Sequence, residues 1–221
     1  VSLESWSECI GARFTNDPPP IHVPAASAIA LVRQQNQMHR VQQVSRHWQS
    51  CEVQPGAADA LCGGEQGMNY LISHQTQPTH NTCFSTCVAM LKCDPVGYVV
   101  SQLHDWYFAG GVSTRQALEK LEIPFESFDT ADLPEMTQDG AYLIGVPSLN
   151  MPGGMHQIIC ECFEGYHVVH DPAMGRPDSK HYVAALTEGI PNEVKLYGYV
   201  IDAFIPRSYL ADRYRFKLDK K

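Results

Sequence analysis

Between His156 and Pro172 the chain reads H-Q-I-I-C-E-C-F-E-G-Y-H-V-V-H-D-P, two apolar runs of strand length divided by Glu164-Gly165. A spacer of two residues demands a tight hairpin turn, and glycine supplies the positive φ that such a turn needs. This hairpin commits the C-terminal half to antiparallel pairing and decides which distant residues share an end. With the turn centred on Glu164-Gly165, His156 pairs approximately with residue 173. Asp171 then needs only a bulge or a small offset to reach the His156 imidazole.

Other strands are expected over 123–128, 141–146 and 196–205, beside the hairpin arms 156–163 and 166–170. Helices come before them. Cys83 opens an apolar stripe of Phe84, Cys87, Val88 and Leu91, stopped by Asp94-Pro95. Val96, Val99, Val100, Leu103, Trp106 and Tyr107 mark a second helix, ended by Gly110-Gly111. Ser113-x-x-Gln116 is a capping box for a third, with Ala117, Leu118 and Leu121 inward. Helices first and an antiparallel sheet afterwards make an α+β fold. The stretch 69–72 reads as a short strand and the polar run 74–82 as a surface loop. At the C-terminus Arg213, Arg215, Lys217, Lys220 and Lys221 alternate with Tyr214, Phe216 and Leu218, which reads as an edge strand with a frayed end.

Residues 1–66 differ in texture from the rest. Asp17-Pro18-Pro19-Pro20 is extended or polyproline. From 25 to 48 there is no Pro or Gly, and Leu31, Met38, Val41, Val44 and Trp48 recur at helical spacings until Pro55-Gly56 ends the pattern. The chain therefore divides into a helical N-terminal extension, 1–66, and a following domain, 67–221. The extension reads as a helix docked on that domain; the alternatives are an inhibitory pro-segment or a surface for an oligomer or larger assembly. The first residue is Val1, which implies residues lost upstream to an expression boundary, methionine removal or proteolytic maturation.

A net charge of −8 argues against general affinity for phosphate backbones, so no nucleic-acid partner is expected. No apolar run approaches the roughly 18 residues of a membrane helix, and no signal peptide is legible, so the chain reads as soluble with no membrane partner. The eight cysteines form neither a dense disulfide framework nor paired C-x-x-C knuckles. Cys160 and Cys162 share one strand face and, with Cys83, Cys87 and nearby histidines, make a candidate zinc set. Free cysteine is also a common core residue, and the reading adopted has no metal and no cofactor.

The chemistry gathers on four residues. At a helix start, the dipole and the unpaired N–H groups favour the thiolate of Cys83 over the thiol. Gln77, in the preceding loop, can aim its amide where the Cys83 N–H points, and two donors at one point form an oxyanion hole. His156 is the base for Cys83, and Asp171 fixes its tautomer. His74, His80, His167, His170 and His181 read as solvated or structural, with His80 close enough to touch substrate.

The runs Q-P-T-H-N-T-C-F-S-T-C-V-A-M, G-G-M-H-Q-I-I-C and V-V-H-D-P-A-M-G, spanning roughly residues 70–175, resemble the papain-like bacteriocin-processing double-glycine-leader peptidases and their free-standing relatives. The resemblance implies a papain-like fold in which Gln77 stabilises the oxyanion, Cys83 attacks, His156 is the base and Asp171 orients it. It implies a peptide or protein substrate. Phe84 stands where the family has glycine or asparagine, Cys87 where it tends to have a small residue, and no transporter accompanies the domain. The expected activity is cysteine-peptidase hydrolysis of a peptide bond. Two alternatives use the same fold: a deamidase or transglutaminase, which also passes through a thioester, and a structural or assembly subunit, for example of a viral particle, with an unused site.

Overall fold

This computed structural model describes residues 70–128 and 135–218. Along them run α1 (Cys83–Lys92), α2 (Val96–Ala109), α3 (Thr114–Lys120), β1 (Gly140–Pro147), β2 (Met155–Phe163), β3 (Tyr166–His170), β4 (His181–Val183), β5 (Glu193–Lys195), β6 (Val200–Pro206) and α4 (Arg207–Leu218). Helices precede an antiparallel sheet of order β3-β2-β1-β6, and β4 and β5 form a separate parallel pair. The extension 1–66, with the helix expected in it, and the boundary at residue 67 lie outside the described residues.

Side-chain alternation splits the core into two layers, because successive strand residues face opposite sides of a sheet. Leu143, Ile159, Ala203 and Ile205 join Phe84, Val88, Leu91, Val99, Leu103 and Leu118 under the helices. Ile144, Val146, Ile158, Cys160, Cys162 and Phe204 pack on the other side with Tyr182, Leu196 and Tyr199. Every residue of α1 from Cys83 to Leu91 is buried, so this helix is surrounded by its neighbours rather than laid on a surface. Cys93, at φ 55, ends it, and the Asp94 N–H donates back to the Ala89 carbonyl at 3.0 Å. The α3 capping box forms as the sequence implies, with the Ser113 and Gln116 side chains each bonded to the other's backbone N–H.

The hairpin has the expected register, Phe163 opposite Tyr166 and Ile159 opposite His170. Its turn places Glu164 at φ 50 and Gly165 at φ 79, the conformation in which a two-residue loop matches strand twist.

Four expectations are corrected. The C-terminal tail is a helix, α4, and not an edge strand. Alternation over a few residues does not exclude a helix, and here Tyr209 and Arg213, four apart, bond through Oη and Nε at 3.2 Å while Leu210 is buried. The strand expected over 196–205 begins only at Val200; Glu193–Lys195 pairs with β4 instead, and the exposed Tyr197 and half-buried Gly198 separate the two segments. Over 123–128 there is a single bridge, Glu126 to Phe204, because Pro124 has no N–H to extend a ladder. Residues 70–72 form no strand. The N–H groups of Leu71 and Ile72 bond the Glu161 carboxylate, at 2.6 and 3.2 Å.

Candidate active site

Cys83 is the first residue of α1, and Thr82 before it is pinned by its own hydroxyl, which donates to the Thr79 carbonyl at 3.0 Å. The helix start is therefore rigid, with Cys83 retaining 9% exposure. His156 lies opposite Val146 at the head of β2, directly after the 148–154 connection. That connection is clasped: Asn150 donates from Nδ2 to the Lys180 carbonyl at 2.7 Å and accepts from the Lys180 N–H at 2.8 Å.

The β2–β3 register, carried one step past Ile159–His170, sets Asp171 opposite Ile158. His156 is two residues further on the same face, a diagonal neighbour within reach of a long side chain. No bulge is needed. His156 Nε2 meets Asp171 Oδ1 at 2.6 Å, with both residues buried. Asp171 is held by three donors in all, since Oδ1 also accepts from the Ala173 N–H and Oδ2 from the Tyr182 N–H, each at 2.7 Å. With Nε2 directed at the carboxylate, the other ring nitrogen is left for Cys83.

The electrostatics follow from that arrangement. Burial works against the imidazolium, but hydrogen bonds to Asp171 and Cys83 and the negative charge of both push His156 up to about 10. Burial also works against the Cys83 thiolate. The hydrogen bond and charge of His156, with the N–H groups of Gln157 and Phe84, outweigh it and bring the thiol below its ordinary value. Both shifts run in the direction that favours a thiolate beside an imidazolium. Cys87 is the opposite case: fully buried, with its Sγ donating to the Gln157 carbonyl at 3.3 Å, it is pushed well up by burial and by the neighbouring Cys83 and Asp171 charges.

Gln77 joins the same region through its backbone, with its N–H on the Pro172 carbonyl at 2.8 Å. It is buried, and its Oε1 has no partner among the described residues. The polar run 74–82 is thus only in part a surface loop: residues 78–81 are exposed, while Gln77 and Thr82 are buried. Trp106–Ala109 is the last turn of α2, and there Tyr107 stacks on Phe84 at 4.0 Å.

Sequence reasoning missed three contributors. The Tyr182 N–H comes from β4, too short to signal itself. Gln75 bridges α1 and α2, donating to the Asp94 carbonyl and accepting from the Val96 N–H, both at 2.8 Å. Arg176, five residues beyond Asp171, bonds the Gln77 carbonyl; an isolated Arg after D-P-A-M-G was the available signal.

Cys160 and Cys162 face the layer away from the helices, whereas Cys87 lies in the layer beneath them, so the candidate zinc set is divided by the sheet. Among the described residues no group of three or more His, Cys, Asp or Glu side chains is placed to hold a metal ion, and no helix is long and apolar enough to cross a membrane. No family model matches this chain, and comparison with curated proteins and with solved structures found no match.

Proposed function

We propose that this protein is a papain-like cysteine peptidase whose working unit is Cys83, His156 and Asp171. The observation that carries the reading is the buried 2.6 Å contact of His156 with Asp171 beside a thiol lowered at the start of a helix. The Cys83 thiolate attacks the scissile carbonyl carbon. The negative oxygen of the tetrahedral intermediate is received by the Cys83 N–H and the Gln77 amide. As the C–N bond breaks, the His156 imidazolium passes its proton to the leaving amine, giving a thioester. Water then attacks the thioester with His156 as base, and the thiolate is regenerated. Asp171 keeps the imidazole aimed throughout.

Hydrolysis is tested with a peptide library and the Cys83→Ala variant. Cleavage by the wild type and none by the variant supports the reading. A wild type that is alkylated at Cys83 but releases only ammonia, or transfers the acyl group to an added amine, would replace peptidase with deamidase or transglutaminase. An unreactive Cys83 would remove the enzyme reading altogether.

A further inference from the structure

One cation holds the loop that leads from Gln77 to Cys83. Arg176 donates from one terminal nitrogen to the Gln77 carbonyl at 3.0 Å, and its other terminal nitrogen lies 3.2 Å from His80 Nε2. A guanidinium only donates, so His80 Nε2 is the acceptor of that bond. Both bonds cross from the turn that follows Asp171. There Gly175, at φ 87, allows an approach so close that a Cβ would meet Thr76 Oγ1 at 2.7 Å. Thr76 Oγ1 donates to the Met174 carbonyl at 2.8 Å, and the Gln77 N–H is on Pro172. The two segments are thus laced along their length.

Arg176 is not held for an ion pair. Among the described residues no carboxylate lies within salt-bridge distance of it, and its Nε is buried without an acceptor. A charged group kept in place with one donor unmet is doing something that a simple surface contact does not require.

The geometry points to Arg176 as the positioning residue for Gln77: by gripping the Gln77 carbonyl and His80, it fixes where the Gln77 amide points before substrate arrives. This rests on the peptidase reading of the same site. Arg176 acts through Gln77, and its removal leaves the Cys83–His156–Asp171 contacts intact. A shift of about 1 Å in a positioned group costs on the order of 100-fold in rate, and loss of one oxyanion donor about 100- to 1,000-fold.

Two reactions of the full chain separate the roles. Alkylation of Cys83 by iodoacetamide is a displacement at carbon with no oxyanion, so it reads the dyad alone. Acylation by p-nitrophenyl acetate passes through a tetrahedral oxyanion, forms a thioester and releases p-nitrophenolate, so it reads Gln77 as well. Arg176→Ala is expected to alkylate within about twofold of wild type while acylating about 10- to 100-fold more slowly. Added guanidinium is expected to restore part of the loss, and Arg176→Ala combined with Gln77→Ala to be no slower than Gln77→Ala alone. Arg176→Lys keeps the charge without the fork and is expected to fall between, which keeps the test open if the alanine variant folds poorly. Unchanged acylation, losses that multiply in the double variant, or alkylation falling in step would overturn the assignment. A wild type in which Cys83 neither alkylates rapidly nor acylates would overturn the peptidase reading and this one together. A reactive wild type matched by an equally reactive Arg176→Ala overturns this one only.

Discussion

At the scale of single residues, Cys83 and His156 are defined by each other and by Asp171. Their opposed shifts set a pH window. On the proposed peptidase reading, activity is expected to rise as pH climbs through the lowered value of Cys83, because the thiolate forms, and to fall as His156 loses its proton near 10, because no acid remains for the leaving amine. Asp171→Asn takes away the carboxylate that supports the imidazolium. His156 is then expected to move down and Cys83 up, so both limbs of a kcat/KM profile close inward; a profile identical to wild type would show that the carboxylate charge is idle. Asparagine also sets an N–H against the donors from Ala173 or Tyr182, and a stability loss of about 1–3 kcal/mol in denaturant unfolding is expected. These residues were legible in the sequence because each stands where an element begins or ends. Two of the three donors on Asp171 were not, since the Ala173 and Tyr182 N–H groups are backbone groups whose location depends on the fold of 173–182.

Elements, rather than residues, explain why the dyad meets. The hairpin is local: its register is set by Glu164-Gly165, and that pattern alone carried Asp171 to His156. Helix α1 was readable from its apolar stripe and its Asp94-Pro95 stop. What eluded the sequence was non-local or short. β4 and β5 are three residues each and pair in parallel, a contact no turn announces. The helical tail shows period-two alternation, and only docking of Tyr209 and Leu210 on the core decides its state. Joints between elements make measurable predictions. Gln75→Ala strands the Asp94 carbonyl and the Val96 N–H and should cost about 1–3 kcal/mol. Ser113→Ala, which removes half of the exposed capping box, should cost about 1 kcal/mol. Thermal unfolding orders the two, and a Ser113→Ala loss exceeding that of Gln75→Ala would contradict the bridging role of Gln75.

Across the molecule, the sheet separates the helical layer from the side covered by β4 and β5, and the site forms where the head of β2 meets the head of α1. The buried Glu161 stitches the start of the described chain to this sheet. Its carboxylate accepts from Leu71, Ile72 and, at 3.1 Å, His170 Nε2. Glu161→Ala orphans all three donors and is expected to cost about 3–5 kcal/mol in denaturant unfolding, whereas a loss under 1 kcal/mol would mean that water or other groups replace it readily. The α+β class was legible as an order of helices then strands; the stitch was not, because an acid in an apolar strand announces no partner. The claim on which everything else depends is that Cys83 is ionised by His156. It is tested most directly by intact mass and peptide mapping after brief iodoacetamide treatment at pH 6, comparing wild type with His156→Ala. The account predicts one fast label, on Cys83, lost in the variant. Slow labelling spread over several cysteines, or a Cys83 rate indifferent to His156, would contradict it.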